Sequence, residues 1–275
     1  AQARGFFLAL MAELRVAAVQ LPLPAPGDPA GAVAAAVEAV SSHARSEGPP
    51  VDIYVLPELS PLGYGNDQDV GIEVQCAMKR VATEVNAAVA FGHAGRGPHG
   101  HPTIRHTVVA PDGVVLAAYD KIHVCDYGDC SETAMGFRSG DTAVSFSWRG
   151  WRVGLVICAD MRYPELARTL CCDHGCDIIL QPTAFARDIS FRTWKSFRET
   201  RAVENSVYWL GVNYSGRRFG CSSWTPPWVD ETHEPEVLGT EPGVLVGVAS
   251  RIELERVRRE LPFRRPRSSY HSAKL

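Results

Sequence analysis

The sequence predicts an α/β layered sandwich, a mixed sheet system with helices on its outer faces. Three observations carry this. Apolar runs of strand length alternate with segments whose apolar residues recur at helical spacing. Turn sequences at Pro111-Asp-Gly113 and Arg149-Gly150 insert hairpins into that alternation. No interdomain linker and no repeat interrupts the 275 residues, enough for one large domain or two small ones.

Leu14 to Leu21 reads as the first strand, stopped by Pro22, Pro24 and Pro26. The Ala- and Val-rich segment Pro29 to His43 has helical composition. Val51 to Leu56 is the next strand, closed by Pro57, and Glu58 follows at once. Val70, Val74, Ala77, Val81 and Val85 give residues 70–88 a helical period. Ala87 to Ala94 reads as a strand, then His106 to Ala110 and Val114 to Tyr119 as a hairpin, with Lys121 just beyond it. After a long loop to Asp141, Thr142 to Trp148 and Arg152 to Ile157 form a second hairpin, and Cys158 ends it. Pro164 suits the first turn of a helix over 164–174, because its missing N–H has no intrahelical partner there. A strand at Asp177 to Leu180, a helix over 190–206 and a strand at Val207 to Val212 follow. Glu236 to Val248 carries two strand-like runs around Pro242-Gly243, and Ile252 to Glu260 is a short helix.

The totals narrow the function classes. Hydrophobic residues make up 45% and charged residues 21%, as in an ordinary soluble globular protein. A net charge of −3 gives no broad pull toward nucleic acid or an anionic membrane. No apolar run approaches the ~20 residues needed to span a bilayer. The eight cysteines lack the spacing of a disulfide scaffold and read as reduced thiols of a cytoplasmic protein. Cys171, Cys172, His174 and Cys176 have no second ligand pair at finger spacing, and Gly175 reads as a helix C-cap, so no metal is expected there. Phe6 to Leu10 is too short for a signal peptide, and Met11 looks like a natural start. Residues 1–13 are therefore read as an N-terminal extension, 14–262 as the domain and 263–275 as a tail. Its neighbourhood carries Arg256, Arg258, Arg259, Arg264, Arg265 and Arg267, interleaved with Glu253, Glu255 and Glu260, and is read as solvated or subunit-bridging.

Three reactive groups stand just after apolar runs: Glu58, Lys121 and Cys158. Strand ends are where layered α/β proteins build ligand sites. A thiol at a strand-to-helix corner stands near backbone N–H groups that can face a developing negative charge. It needs a base to become a thiolate at neutral pH, its free pKa being about 8.5. A partly desolvated carboxylate can serve, and an ammonium can hold an oxyanion. Taken singly, Cys158 also reads as a core cysteine, Glu58 as a loop carboxylate and Lys121 as a surface lysine.

Taken together, Leu56-Pro-Glu58, Tyr119-Asp-Lys-Ile-His123 and Ile157-Cys-Ala-Asp-Met-Arg-Tyr-Pro-Glu165 resemble the three motifs of the nitrilase superfamily of carbon–nitrogen hydrolases, in order and separation. Phe91-Gly92, Gln181-Pro182, Arg201-Ala-Val-Glu-Asn205 and Gly239-Thr-Glu-Pro-Gly243 add to the resemblance, which runs from about Leu14 to about Tyr270. It implies a four-layer α-β-β-α sandwich with two mixed sheets. By position, Glu58 matches the general base, Lys121 the oxyanion-stabilising lysine and Cys158 the nucleophile. Glu132 is the best match to a second glutamate that orients Lys121 or Glu58. Its distance from Gly140 is about one residue longer than expected, so Asp129 is the substitute.

The implied chemistry is hydrolysis of a small amide through a cysteine thioester, releasing ammonia and a carboxylic acid, without a cofactor. The motif after Cys158 looks most like the omega-amidase, Nit-like branch, with Ala159 where an aromatic residue is common. Ala159, Arg162, Phe185 and Tyr64 are the substrate-binding residues the resemblance implies. Arg162 meets either a substrate carboxylate or Glu165 or Asp160 in a salt bridge, and Phe185 lines the pocket or belongs to the core. Trp224 and Trp228, beside prolines, form a pocket wall or a subunit contact. The resemblance also implies a homodimer or higher homo-oligomer. The alternatives are an N-carbamoyl amino acid amidohydrolase, an acyltransferase using the same thioester, and a non-catalytic binding subunit of the same fold.

Overall fold

The computed structural model describes residues 12–64, 70–97, 100–127 and 130–264. Residues 1–11 of the proposed extension, the candidate Asp129 and most of the basic tail lie outside the described residues, while Glu13, at the end of that extension, already belongs to the first strand. In the first half, β1 (Glu13–Gln20), β2 (Ile53–Val55) and β3 (Ala88–Arg96) run parallel to one another. β4 (Pro102–Val109) and β5 (Val115–Asp120) extend this sheet antiparallel, around the expected Pro111-Asp-Gly113 turn. The long loop then holds a two-strand ribbon, β6 (Asp126–Tyr127) and β7 (Cys130–Ser131).

β8 (Ser145–Trp148) and β9 (Trp151–Leu155) form the second hairpin and begin a second sheet. β10 (Ile178–Pro182) and β11 (Tyr208–Val212) continue it parallel to β9. β12 (Ser223–Thr225) and β13 (Glu236–Val237) complete its six strands. β14 (Gly243–Ser250) crosses back to the first sheet and pairs antiparallel with the whole of β1, from Glu13↔Ser250 to Gln20↔Gly243. The two runs around Pro242-Gly243 therefore belong to different sheets.

The sheets pack face to face. Val16, Ala18, Ile53, Val55, Ala88, Ala90 and Val108 meet Val153, Leu155, Ile178, Leu180 and Leu210 in one core cluster. The intervening residues Ala17, Val19, Tyr54, Val89 and Phe91 point the other way, onto α1 (Pro29–Arg45) and α2 (Val70–Val85), through Ala36, Val40, Val74 and Met78. Central strands are thus buried on both faces and read as continuous apolar runs. Asp28 caps α1 by accepting from Gly31 N at 2.9 Å, with Pro29 at the first helical position. On the far side lie α3 (Pro164–Arg168), continued by a wide turn to Asp173, and α4 (Thr193–Asn205), burying Leu166, Leu170, Trp194 and Ala202 against the second sheet. The result is the four-layer α-β-β-α sandwich.

Two expectations are corrected here. Trp224 lies on β12 and is buried, stacked on Tyr208 at 5.0 Å with an interplanar angle of 12°. It is a core residue rather than a pocket wall, and a side chain at Gly247 would overlap its ring. Trp228 stacks on Phe263 at 6.0 Å. Arg258, on α5 (Arg251–Glu260), is not a solvated tail residue: it meets Asp177 at 2.8 Å, and Arg251 takes the other oxygen at 3.0 Å. Together they lower the Asp177 pKa against the opposing effect of its burial.

Candidate active site

Parallel strands place the reactive residues at one end of the sandwich. Glu58 follows β2, Cys158 follows β9 and Thr183 follows β10, all beyond carboxyl ends. Lys121 follows β5 and is held by Ile104 and Gly140: Lys121 N donates to Ile104 O and Gly140 N donates to Lys121 O, both at 2.8 Å. Gly92 lets the loop after Glu58 lie directly on β3, where its N–H meets Ser60 O at 2.8 Å, and any side chain there would overlap Leu59 backbone. Cys158 has φ +44°, a left-handed conformation uncommon for a residue with a side chain, at the start of a tight turn over Cys158–Arg162.

Lys121 Nζ donates to Glu58 Oε1 at 2.8 Å and to Glu132 Oε1 at 2.6 Å, and the three side chains are buried. The second Glu58 oxygen accepts Ala184 N at 2.9 Å and Tyr64 Oη at 3.4 Å. The second Glu132 oxygen accepts Cys125 N at 2.7 Å. Glu132 is therefore the second acidic residue on Lys121, and the β6–β7 ribbon takes up the chain between them. Two carboxylates surround one ammonium. Burial and the nearby Glu58 raise the Glu132 pKa to about 7, against the pull of Lys121. Burial alone would lower the Lys121 pKa, but Glu58 leads the groups that hold it well above the usual lysine range. The Cys158 thiol is buried and also held well above its ordinary pKa, first by burial and then by Glu58, with Lys121 opposing. The resting thiol therefore keeps its proton. The arrangement can pass that proton to Glu58 and keep an ammonium beside the carbon that sulfur attacks.

The other expected residues separate. Tyr64 joins the site through Glu58. Ala159 and Asp160 are buried in the turn after the thiol. Asp160 accepts Tyr119 Oη at 2.6 Å, Ile157 N at 2.9 Å and His123 N at 2.9 Å. Arg162 does not pair with it. Its guanidinium donates to Tyr127 Oη at 2.9 Å and Ser190 Oγ at 3.0 Å, between the rings of Tyr127, Phe185 and Phe197 at 5.3–5.4 Å. Phe185 is buried against Phe191 and Trp194 as well, so its side chain is core as much as site. The sequence reading missed Tyr214, whose hydroxyl holds the Glu58 carbonyl at 2.7 Å. It also passed over the side chain of Gln181, which holds the Cys158 carbonyl at 3.2 Å. Both lie at or just past strand ends, the one signal that could have found them.

Residues 15–241 match the carbon–nitrogen hydrolase family. The chain belongs to that family. Omega-amidase NIT2 of Homo sapiens is 31% identical over 182 residues, covering 61% of this chain and 63% of that protein. The match thus spans about three fifths of that relative's length. Among solved structures, an amidase from Nesterenkonia sp. superposes with a TM-score of 0.73 at 26% identity, over 90% of this chain and 95% of that one. A variant of it carries the acetamide moiety of fluoroacetamide covalently on its active-site cysteine. Saccharomyces cerevisiae Nit3, of the nitrilase superfamily, gives a TM-score of 0.78 at 20% identity, over 91% and 95% of the chains, a likeness of fold. Among the described residues of this carbon–nitrogen hydrolase, no helix is long and apolar enough to cross a membrane.

Proposed function

We propose that this chain hydrolyses the C–N bond of a small linear amide, in the manner of an omega-amidase, through a thioester on Cys158. The observation that carries the reading is one buried ammonium, Lys121, bonded to both Glu58 and Glu132 beside a buried thiol. Glu58 takes the thiol proton and Cys158 Sγ attacks the carbonyl carbon. Lys121 Nζ and the Ala159 N–H hold the tetrahedral oxyanion. Glu58 returns the proton to the leaving nitrogen, ammonia departs, and water activated by the same carboxylate releases the acid. Glu132 keeps Lys121 in place. The acetamide adduct on the cysteine of a variant of the Nesterenkonia amidase supports a nucleophilic cysteine; that adduct keeps its amide nitrogen and is not itself a thioester.

Arg162, at the corner after the nucleophile, is the group suited to a substrate carboxylate, if Tyr127 and Ser190 give up its guanidinium. The eight free cysteines agree with a reducing, cytoplasmic setting. A homodimer or higher homo-oligomer belongs to the same reading and is open to a mass measurement in solution. The test of function is a panel of omega-amides, carbamoyl amino acids and aliphatic amides, with ammonia and carbon dioxide assayed and the Cys158 peptide weighed. Ammonia without carbon dioxide, an acyl adduct on Cys158 and loss of both in Cys158→Ala are expected. Turnover retained by Cys158→Ala would sink the reading.

A further inference from the structure

Residues 181–184, where β10 ends, hold both halves of the proposed chemistry. Gln181 Nε2 donates to Cys158 O at 3.2 Å. Thr183 O accepts Glu58 N at 3.4 Å, and Ala184 N donates to Glu58 Oε2 at 2.9 Å. Thr183 sits between these contacts and is 0% exposed. Its backbone is occupied, since Thr183 N donates to Val212 O at 2.8 Å. Its hydroxyl is not: Oγ1 is buried with no aligned hydrogen-bond partner among the described residues. A buried hydroxyl in that state carries an uncompensated desolvation penalty, and valine has the same shape without it.

The thiol is the polar group this hydroxyl can serve. It lies within reach of Cys158 Sγ and draws the thiol's pKa down, against burial and the two carboxylates. A neutral thiol is a weak acceptor, whereas a thiolate accepts a strong, charge-assisted bond. The hydroxyl therefore gains its partner only when sulfur is charged, which is the condition for speeding the step rather than binding the resting state. Lys121 favours the charged sulfur more through its charge, but its ammonium protons are committed to Glu58 and Glu132 in the resting site.

We propose that Thr183 is the hydrogen-bond donor to the Cys158 thiolate. When the thiol proton moves to Glu58, Thr183 Oγ–H turns onto the negative sulfur and keeps its own proton. When the S–C bond forms, sulfur loses its charge and the hydroxyl is released. This rests on reading Cys158 as the nucleophile.

The test compares wild type with Thr183→Val and Thr183→Ser. The rate of Cys158 alkylation by iodoacetamide is measured against pH, on the Cys158 peptide by mass spectrometry. Peptide resolution matters because Cys158 is one of eight free thiols, among them Cys125, whose pKa is lowered to about 7, first by Cys130. The valine variant should alkylate Cys158 about tenfold more slowly at neutral pH, with its profile moved upward by about one pH unit. Serine should restore both, and valine should not lower the thermal midpoint. Should valine disturb folding, Thr183→Ala takes its place with serine still the control. An unchanged rate and profile for valine, or serine as slow as valine, would overturn the proposal. Loss of amide turnover in Cys158→Ala, with valine alkylating normally, removes Thr183 and leaves the nucleophile standing. Turnover retained by Cys158→Ala removes both.

Discussion

Replacing Glu132 by glutamine takes away one of the two carboxylates that share Lys121 and changes the protein's response to pH. Burial and Glu58 raise the Glu132 pKa from the ordinary 4.5 to about 7. Between those values the folded protein keeps a proton that the unfolded chain has lost. Stability therefore falls as pH rises through that window, by on the order of 3 kcal/mol for 2.5 pH units. Glutamine has nothing to titrate. It carries a constant penalty instead, because Lys121 Nζ and Cys125 N–H both donate to the carboxylate, and an amide offers them one oxygen and one NH₂. One donor left unpaired costs roughly 1–3 kcal/mol at every pH.

The assay is urea unfolding of wild type and Glu132→Gln at steps from pH 4 to pH 8. The glutamine variant should start less stable at pH 4 and close the gap by on the order of 3 kcal/mol by pH 8. Groups not coupled to Glu132 cancel in the difference. A gap that stays flat across the range refutes the reasoning, whatever its size. In the amide assay the variant should lose about tenfold to hundredfold in kcat, less than removal of Lys121 as an oxyanion donor would cost.

Three further outcomes are expected. His106 is buried between the sheets, its ring nitrogens without a well-formed hydrogen bond among the described residues, and burial lowers its pKa to about 3 against a weaker opposing effect of the Ala90 backbone. Its neutral form contributes stability above pH 6.5 that is lost as pH falls toward 3, so His106→Leu should move the acid-unfolding midpoint downward; an unmoved midpoint contradicts this. Trp224→Ala removes a buried ring stacked on Tyr208 and should cost about 3–5 kcal/mol in denaturant unfolding, while a loss under about 1 kcal/mol would return Trp224 to the surface. Gly92→Ala drives a methyl into Leu59 backbone, beside Glu58, and should cut amide turnover at least about tenfold while circular dichroism still reports a folded sheet; full turnover would show that the loop can move aside.

The legible part of this molecule is the part written locally. Glu58, Lys121 and Cys158 each follow an apolar run directly, and runs of that kind become strands whatever sheet they join. What could not be read is which sheet a strand joins. The runs around Pro242-Gly243 differ in partner, not in pattern: β13 closes the second sheet, while β14 lies along β1. Trp224 follows the same logic. Beside two prolines it looks like a loop residue, and only pairing of Leu210 with Trp224 carries it into the core. Arg162 reads as a partner of a substrate carboxylate or of Glu165 or Asp160, and the structure sets its guanidinium among hydroxyls and aromatic faces, which no spacing along the chain encodes.

The same distinction explains why Thr183 and Tyr214 escaped notice although the three reactive residues did not. A thiol, an ammonium and a carboxylate announce their chemistry by residue type. A hydroxyl does so only through what it faces. Two carboxylates and one ammonium around Cys158 leave its surroundings net negative, with Glu132 ionised only in part near neutral pH. Burial first, and then this balance, holds the thiol pKa well above its ordinary value; in the proposed mechanism Glu58, not solvent, accepts its proton. In that mechanism Lys121 is freed of one charged partner once Glu58 is neutral, and it can then face the oxyanion. The contacts that hold Glu58 for this exchange, from Ala184 N and Tyr214 Oη, come from the far sheet. On that reading the sandwich serves the chemistry as well as the core: Glu58 follows a strand of one sheet and Cys158 a strand of the other.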